Sequence, residues 1–541
     1  MSRTNADLVL DALTAAGVDL VFTCPGTTEV PLLDASIQRQ HPRFVLTTHE
    51  TTTVAAADAY SRATGQIGVA LLHANVGLTN GLAMVEAARV GRSRLLILNG
   101  TKPLSIRNRR GFTQTAESET VARYFTVQAT SVATHASLPD DVAQAIQRLN
   151  HAPYGPVYLE LPQDVMAEPT DRRAEGVTLV PATVSSTEAV HDAAAVLTRS
   201  ERVVVVVGSD LAGDGSTKIV ALAEELGAPL LESPWRELER ETVDTNHPHY
   251  AGVLSYSAAV LKDATVLVAG TPAFQEPDAG PNLLSESAAV IHLLTHPEGL
   301  IPGSLPVVGD VHAALSQLTV AVGADNKKQR TRFRDEVTAR YRQQFALQST
   351  PDPEGLLSVN EVVQELDARS LSGPIVVDAV TASAAVFRFM SRGPCRELYA
   401  TGSGALGWGV GAAVGVALSK PRARVYAIVS DGVLQFGVQA LHTAVAERLA
   451  ITYVVVNNET YHAVVLALKS FGAVAADTET YPCTGLGTTN WAAIAQGFGL
   501  SAERVTTLDE LRSALASQED QGGPALVEVM VSTAGAGNTA R

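Results

Sequence analysis

The clearest chemical pattern in the sequence lies within residues 425–461, VYAIVSDGVLQFGVQALHTAVAERLAITYVVVNNETY. One apolar run ends at Ser430-Asp431-Gly432, an amphipathic segment follows, and a second apolar run ends at Asn457-Asn458. This order is typical of a strand, a crossover helix and a parallel strand. Because the carboxyl ends of such strands meet at one edge of a sheet, where α/β folds bind ligands, we expect Asp431 and Asn458 to face each other.

A carboxylate and an amide oxygen are hard donors of the kind that Mg²⁺ and Ca²⁺ prefer. A Mg²⁺ ion with few protein ligands usually completes its octahedron with water and phosphate oxygens. Asp431 and Asn458, which lie 27 positions apart, therefore predict a metal ion that holds a diphosphate. Taken alone, the Asp-Gly and Asn-Asn pairs are equally typical of two ordinary turns.

A parallel sheet is needed to bring these residues together, and the sequence predicts three. Short β-branched runs alternate with helical patterns along the chain, as they do in α/β proteins. The first region predicts strands at 20–23, 44–48, 68–73, 94–99 and 157–161, with helices at 51–63 and 79–90. The second predicts strands at 202–207, 264–269 and 288–294 with a helix at 217–226, and the third predicts strands at 374–378, 424–429, 451–456 and 525–531.

Two polar segments separate these regions. Residues 164–190 contain two prolines, and the charged stretch 323–357, which predicts a helix near 326–346, ends in Pro351-Asp352-Pro353. A chain of 541 residues is also too long for one hydrophobic core. The sequence therefore predicts an α/β protein of three consecutive doubly wound parallel-sheet domains, at 1–172, 186–325 and 355–541.

Composition narrows the classes of partner. The chain has 56 acidic and 40 basic residues, for a formal net charge of −16, which disfavours nucleic acid and anionic membranes. Three scattered cysteines predict neither a disulfide framework nor a zinc site and are typical of a reducing cytoplasm. No signal-peptide pattern begins the chain, and the most apolar stretch, 405–418, is too short to span a membrane. We therefore expect a soluble, cytoplasmic protein.

An Asp-Gly pair, a crossover and an Asn-Asn pair resemble the cofactor motif of thiamine diphosphate-dependent enzymes, and residues 430–461 look most like benzoylformate decarboxylases. The likeness covers nearly the whole chain in three-domain order. Ser430-Asp431-Gly432 stands where the family has Gly-Asp-Gly, and serine can still close the turn. The resemblance implies thiamine diphosphate as cofactor, with Mg²⁺ (or Ca²⁺) bound by Asp431, Asn458 and the backbone carbonyl of Thr460.

The same resemblance assigns further cofactor contacts. Residues 400–407, ATGSGALG, resemble the loop that holds the pyrimidine ring, and Leu406 stands where a bulky apolar residue supports the bent cofactor. A turn after the strand that ends at Asp378 resembles the diphosphate-binding turn. The contacts so implied, besides Leu406 and the metal ligands, are Gly404, Ala405, Thr381, Ala382, Ser383, Ser430, Gly432, Val433 and Tyr461.

Thiamine diphosphate enzymes also need a carboxylate beside the aminopyrimidine ring, because a hydrogen bond at N1′ favours the tautomer that removes the C2 proton. The resemblance places this carboxylate at Glu50, at a predicted strand-to-helix turn. In the family, the first domain of one subunit and the third domain of its neighbour form the site together. The resemblance therefore implies a homodimer at minimum and a homotetramer as the expected assembly.

The residues that would act on substrate are His73 and Thr27. His73 corresponds to an active-site histidine of benzoylformate decarboxylases, and an imidazole can transfer protons near neutral pH. Thr27 replaces a serine that contacts the substrate carboxylate in those enzymes. The second histidine of those enzymes has no counterpart in residues 272–276, PAFQE, and Thr113-Gln114 replaces the His-His pair of pyruvate decarboxylases. We therefore expect a 2-oxo acid decarboxylase and carboligase whose substrate is open.

Other functions remain open on the sequence. An acetolactate synthase-like acyl transferase would carry FAD in the middle domain, where residues 203–207 precede Gly208-Ser209-Asp210, although we do not favour FAD. A 2-hydroxyacyl or aldehyde lyase and a non-catalytic cofactor-binding paralogue are two more alternatives. Residues 402–407 also spell GxGxxG, which indicates an NAD-dependent oxidoreductase only if a firm strand precedes them, and 396–401 is a poor strand.

Overall fold

The computed structural model describes residues 3–107, 109, 112–113, 117–174, 185–211, 214–233, 243–254, 258–274, 282–344, 355–369, 373–391, 397–472, 474–520 and 522–532. Within these ranges the chain forms three six-stranded sheets. The predicted architecture of three consecutive α/β regions with parallel sheets is confirmed. Within the same ranges, no helix is both long enough and apolar enough to cross a membrane.

The first sheet holds several of the predicted site residues at one edge. Its strands are β1 (Leu20–Thr23), β2 (Arg43–Leu46), β3 (Gly68–His73), β4 (Leu95–Thr101), β5 (Gln128–Ser131) and β6 (Val157–Pro162). Its helices are α1 (Asn5–Ala15), α2 (Val30–Ser36), α3 (Glu50–Thr64), α4 (Ala74–Val90), α5 (Ser118–Arg123), α6 (Leu138–Leu149) and α7 (Gln163–Ala167). The strand order is β2-β1-β3-β4-β6-β5, so the direction of winding changes between β1 and β3. Ligands of open α/β sheets bind beyond the carboxyl ends of the strands at such a point.

The central strands of the second sheet are rich in valine and leucine and fully buried, as strands covered by helices on both faces are. Its strands are β7 (Val203–Val207), β8 (Leu230–Glu232), β9 (Tyr250–Val253), β10 (Thr265–Ala269), β11 (Ala289–Leu294) and β12 (Leu305–Val308). Its helices are α8 (Thr187–Arg199), α9 (Asp214–Leu226), α10 (Val311–Ala321) and α11 (Lys327–Gln344). The strand order is β12-β11-β10-β7-β8-β9.

The third sheet carries the Asp431 and Asn458 motif. Its strands are β13 (Ile375–Asp378), β14 (Leu398–Ala400), β15 (Val425–Ser430), β16 (Ile451–Asn457), β17 (Ser501–Val505) and β18 (Ala525–Met530). Its helices are α12 (Val359–Ala368), α13 (Ser383–Phe389), α14 (Trp408–Ser419), α15 (Asp431–Gly437), α16 (Ala440–Ala446), α17 (His462–Phe471), α18 (Val474–Thr478), α19 (Trp491–Phe498) and α20 (Leu508–Asp520). The order β14-β13-β15-β16-β18-β17 places the winding change between β13 and β15.

The structure corrects three local predictions. The helix predicted to begin at residue 79 begins earlier, because α4 already starts at Ala74. Gly77 lies within this helix beside Glu50, where a Cβ would make ordinary contacts at 3.4 Å to the Leu72 backbone and 3.5 Å to Oε1 of Glu50. The predicted linker 164–190 contains most of α7 at its start and the first turn of α8 at its end. Residues 396–401 include the short strand β14, and α14 follows Gly407 directly.

Helices α3 and α14 belong to one compact unit and pack closely against each other. A Cβ at Gly411 would lie 2.9 Å from Cβ of Ala55, and a Cβ at Gly415 would overlap the carbonyl oxygen of Ala56. The indole nitrogen of Trp408 donates a hydrogen bond of 2.7 Å to the buried carboxylate of Asp58. Glu50 begins α3 and the predicted pyrimidine loop precedes α14, so this contact sets the positions of both.

The close contact between α3 and α14 gives the first prediction. Gly415→Ala should lower the free energy of unfolding by about 1–3 kcal/mol, because the added methyl group overpacks a backbone contact. The matched control is Gly497→Ala in α19, where a Cβ would meet no atom within 4 Å. The control should leave the apparent thermal midpoint unchanged or raise it slightly. Equal midpoints for the two variants would contradict the prediction.

Candidate active site

Asp431 lies at the carboxyl end of β15 and begins α15. The side chain of Ser430 caps this helix by accepting a hydrogen bond of 3.4 Å from the Val433 backbone, so serine does close the turn. Asp431 is only 3% exposed. Burial raises the pKa of its carboxyl group to about 6, although backbone hydrogen bonds from Gly432 and Glu459 act in the opposite direction.

The loop after β16 brings Asn458 to the same edge of the sheet. Glu459 adopts a positive φ of 55°, and its backbone N–H donates to the Asp431 carboxylate as well as to Oδ1 of Asn457 at 3.0 Å. The backbone N–H of Thr460 donates to Oδ1 of Asn458 at 3.1 Å. The predicted meeting of the two strand ends is therefore present in the structure.

The buried carboxylate of Glu528 fixes the start of this loop through hydrogen bonds and an ion pair. Glu528 of β18 has no exposed side-chain surface, and it accepts hydrogen bonds from Asn457 at 2.7 Å and from Arg504 at 2.8 Å. The backbone N–H of Ala492 donates to its other oxygen at 3.0 Å. Asn457 is thus held by the sheet, which leaves the neighbouring Asn458 to face the edge. Sequence reasoning missed Glu528 because it lies 71 positions from Asn457.

These residues suit a hard cation. A buried carboxylate whose pKa is raised by desolvation gains stability from a nearby positive charge. The amide oxygen of Asn458 and the carbonyl of Thr460 supply the neutral oxygen donors that accompany a carboxylate around Mg²⁺. Among the described residues, no group of three or more histidine, cysteine, aspartate and glutamate side chains could hold a metal ion. The expected ligand set has one carboxylate, one amide oxygen and one backbone carbonyl oxygen, so it does not need such a group.

The other predicted cofactor residues lie near the ends of neighbouring elements. Thr381, Ala382 and Ser383 come shortly after β13 in the chain, and the latter two are buried. The loop with Gly404, Ala405 and Leu406 precedes α14, whose first turn is fixed by a hydrogen bond of 3.0 Å from the Gly409 backbone to Asp378.

Tyr461 packs closely on the first turn of α15. A Cβ at Gly432 would lie 2.8 Å from the ring of Tyr461. Glycine at position 432 therefore allows this tyrosine to approach the backbone beside Asp431, where a larger residue would displace it. Val433, on the same turn, is fully buried.

Glu50 lies in the first sheet region, at the first residue of α3, and is 9% exposed. Its Oε2 accepts a hydrogen bond of 3.1 Å from the amide of Asn80, and Gly77 packs beside its other oxygen. A carboxylate held in this way at the carboxyl edge of a sheet can accept a further hydrogen bond from a ligand. The resemblance had assigned this acceptor role to Glu50.

His73 ends β3 at the same edge, and the structure adds two residues that sequence reasoning missed. Nδ1 of His73 lies 2.8 Å from the hydroxyl of Thr28 and 3.2 Å from Oε2 of the buried Glu29. Glu29 also accepts a hydrogen bond of 2.7 Å from the Gly26 backbone. Glu29 was the second residue after Thr27 in the sequence, so an acid beside a predicted contact residue was the available signal.

Thr27 lies on the loop after β1, near two polar side chains from other strands. Nζ of Lys102, which follows β4, is 3.5 Å from Oγ1 of Thr27, and Gln163 donates to the Thr27 carbonyl at 3.2 Å. The structure therefore brings Thr27, His73 and Glu50 to the carboxyl edge of one sheet. Lys102 adds a positive charge that sequence reasoning did not single out.

The buried histidines described in the middle region have structural partners. Nδ1 of His249 lies 2.8 Å from the Ala228 carbonyl, and its Nε2 lies 2.8 Å from the Arg334 guanidinium. His292 has no exposed surface, and its Nε2 lies 2.7 Å from the Thr271 carbonyl while its Nδ1 accepts from the Ile301 backbone at 3.1 Å. Burial lowers the pKa of His292, so it is a neutral structural residue. Gln114, Gln275 and Glu276, which mark departures from the related decarboxylases, lie outside the described residues.

Comparison with known proteins decides the family. Three family models for thiamine pyrophosphate enzymes match in chain order: the N-terminal TPP binding domain over residues 3–121, the central domain over 190–318 and the C-terminal TPP binding domain over 378–529. The chain belongs to the thiamine pyrophosphate enzyme family. The C-terminal match includes residues 402–407, so the GxGxxG pattern belongs to a cofactor domain of this family, which disfavours the dinucleotide interpretation.

Similar proteins include two of the chemistries that the sequence left open. This thiamine pyrophosphate enzyme is 27% identical to benzoylformate decarboxylase of Pseudomonas aeruginosa over 537 residues, 96% of this chain and 97% of the relative. It is 24% identical to acetolactate synthase of Arthrospira platensis over 555 residues, 98% and 94% of the two chains. In fold it matches the thiamine diphosphate-dependent 4-hydroxybenzoylformate decarboxylase of Rhodococcus jostii RHA1, with a TM-score of 0.86, 24% identity and coverage of 98% and 99%.

The cation site gives the second prediction. Asp431→Asn should weaken Mg²⁺-dependent binding of thiamine diphosphate at least about tenfold, because it removes the only charged ligand of the expected set. Glu459→Gln is the matched control. It removes one negative charge from the loop that holds Asn458 without removing an expected ligand. Isothermal titration of each variant with the cofactor and Mg²⁺ measures the effect. Similar losses for both variants would indicate that net charge, not ligation, matters at Asp431.

Proposed function

We propose that this enzyme is a 2-oxo acid decarboxylase, with carboligase activity toward a second aldehyde, that uses thiamine diphosphate and Mg²⁺. The observation that carries the proposal is the ammonium group of Lys102, which lies 3.5 Å from the hydroxyl of Thr27 at the edge that also holds Glu50 and His73. A positive charge beside the expected substrate contact favours a carboxylate over a neutral aldehyde as the substrate.

The proposed site combines residues of two regions with distinct tasks. Asp431, Asn458 and the carbonyl of Thr460 would hold the Mg²⁺ ion and, through it, the diphosphate. Glu50 would accept the hydrogen bond from the pyrimidine ring. When bound, thiamine diphosphate supplies the nucleophilic carbon and accepts the electrons released on decarboxylation.

The substrate end of the proposed site uses Thr27, Lys102 and His73. Thr27 and Lys102 would bind the carboxylate of the 2-oxo acid. His73, whose side chain is 19% exposed, would supply or accept the proton at the reacting carbon. The leading alternative is acetolactate synthase-like acyl transfer, which the relative from Arthrospira platensis supports.

The family resemblance also supports an assembly of at least two subunits and, by extension, a homotetramer. A cytoplasmic location is part of the same proposal, and net charge and cysteine content support it. Sedimentation of the enzyme with thiamine diphosphate and Mg²⁺ measures the assembly directly.

A substrate panel tests the proposed reaction. The purified enzyme with thiamine diphosphate and Mg²⁺ is incubated with aromatic and aliphatic 2-oxo acids, with and without aldehydes, and the products are identified. Release of carbon dioxide and an aldehyde supports the decarboxylase. Products that are only 2-hydroxy-2-methyl-3-oxo acids would support acyl transfer instead, and cleavage of 2-hydroxyacyl substrates without decarboxylation would support a lyase.

The role of Glu50 gives the third prediction. Glu50→Gln should lower kcat at least about 100-fold with thiamine diphosphate still bound, because the amide keeps the volume but provides a much weaker acceptor. Turnover and cofactor titration are measured on the same preparation. A variant that loses cofactor binding and turnover in parallel would indicate a structural role, and equal absence of turnover in the unaltered enzyme would indicate a non-catalytic paralogue.

The role of His73 gives the fourth prediction. His73→Ala should lower kcat by about 10²–10⁴-fold, the range that a positioned general acid or base contributes, while cofactor binding stays the same. His135→Ala is the control, since His135 is an exposed histidine of the same region. Unchanged turnover in His73→Ala would remove this residue from the mechanism.

A further inference from the structure

Glu29 lies against His73 in a way that the proposed function does not yet use. The Glu29 side chain has no exposed surface, and its two carboxylate oxygens lie 3.3 and 3.2 Å from Nδ1 of His73. His73 itself remains partly exposed at the end of β3. A shielded acid therefore contacts one nitrogen of a ring whose other side reaches solvent.

The hydroxyl of Thr28 indicates which nitrogen of His73 carries the proton. Its single hydrogen has two acceptors available, the carboxylate of Glu29 and the Gly100 carbonyl at 2.9 Å. A carbonyl and an ionised carboxylate only accept, so a hydroxyl that donates to either of them can make the 2.8 Å contact with Nδ1 of His73 only as an acceptor. This arrangement favours a neutral His73 that is protonated at Nδ1 and has its lone pair on Nε2.

The hydrogen bonds around Glu29 favour its ionised form. Burial raises the pKa of this carboxyl group, and hydrogen bonds from Thr28, from the Gly26 backbone and from His73 oppose that rise. Donors that converge on one carboxylate stabilise its charge, and a protonated imidazole beside it stabilises the charge further.

We propose that Glu29 is a positioning residue that holds His73 in the Nδ1–H tautomer and stabilises its cation, so that Nε2 exchanges the catalytic proton. The kinetic part rests on the proposed function, whereas the tautomer does not. Neutral His73 gains one proton at Nε2, carries two ring protons beside the Glu29 carboxylate, and returns that proton from Nε2. No other bond is made or broken by the pair.

Two backbone segments prevent the pair from rearranging. A Cβ at Gly26 would overlap the His73 ring, and a Cβ at Gly100 would overlap a carboxylate oxygen of Glu29. The ring and the carboxylate thus fill the space between the loop after β1 and the end of β4. A ring held on both sides keeps Nε2 in one direction, as proton transfer requires.

Other titratable groups that face this pair are few among the described residues. Burial, together with the charges of Glu50 and Glu29, raises the pKa of the Cys24 thiol to about 11, so this thiol stays neutral where histidine titrates. Lys102 contacts Thr27, the residue before Thr28. Glu29 is the acid in direct contact with the ring.

The first test measures the unaltered, cofactor-free protein and needs no variant of Glu29. Ring ¹⁵N shifts of histidine-labelled protein are recorded above the pH at which His73 titrates, and His73 is assigned by the loss of its signals in His73→Gln. The proposal expects a pyrrole-type Nδ1 and a pyridine-type Nε2. The opposite tautomer would overturn it, whatever reaction the enzyme catalyses.

The second test gives the fifth prediction, the pH dependence of Glu29→Gln. An adjacent carboxylate stabilises the protonated imidazole, so its removal favours the neutral ring. The pH–rate profile of the unaltered enzyme should contain one limb that is absent in His73→Ala. In Glu29→Gln this limb should therefore lie at lower pH by about one unit or more. kcat/KM should fall at least about tenfold. An unmoved limb in a folded variant would overturn the proposal.

The matched control is Glu160→Gln, at the end of β6 in the same sheet. Glu160 is 6% exposed, like Glu29 it is a shielded carboxylate, and it bonds instead to Tyr158, Ser131 and Arg107. This control should leave the His73 limb in place. A limb that moves equally in both variants would indicate a general effect of lost charge and overturn the specific role of Glu29.

A double variant separates positioning from simple stability. If Glu29 acts only through His73, Glu29→Gln combined with His73→Ala should be no slower than His73→Ala alone. Multiplicative losses would overturn the proposal. Failure of the substrate panel with a confirmed tautomer would reject the proposed function and leave the Glu29–His73 pair intact.

Discussion

Helices α3 and α14 meet backbone to backbone, because Gly411 and Gly415 place no side chain between them. Dispersion contacts at such short range are lost quickly with separation, so the two helices have little freedom to shift. The Trp408–Asp58 hydrogen bond adds a direction to this contact, and Arg62 completes it with two hydrogen bonds of 2.9 and 2.8 Å to the same carboxylate. Glu50, at the first position of α3, and Leu406, just before α14, are therefore positioned by this packing.

Three buried acids then carry out three different tasks with the same chemistry. Asp431 receives hydrogen bonds from backbone N–H groups, and burial raises its pKa to about 6, which suits a cation. Glu528 is neutralised by Arg504 and orients Asn457. Glu29 contacts His73 and can stabilise the positive charge of that ring when it is protonated. Burial is common to all three, so the partner of each carboxylate, not its depth, decides its task.

The sequence predicted the parallel strands well, because each is a short run of apolar, β-branched residues buried on both faces. It also predicted that the strands before Asp431 and Asn458 are parallel neighbours, since a single crossover joins them. Short and edge strands such as β14 and β17 were missed because too few residues carry their pattern. Glu29, Thr28 and Lys102 were missed because the partners that connect them to the predicted site lie 44 to 75 positions away in sequence.

The space around His73 and Glu29 has a consequence for natural and laboratory variation. Gly26 and Gly100 are excluded from carrying a side chain only while the ring and the carboxylate occupy their present positions. Homologues that replace His73 with a smaller residue should therefore tolerate alanine or serine at position 26, and the two positions should vary together. Mutagenesis of the substrate pocket should therefore treat Gly26, Glu29, His73 and Gly100 as one unit. Single substitutions are better placed at other positions.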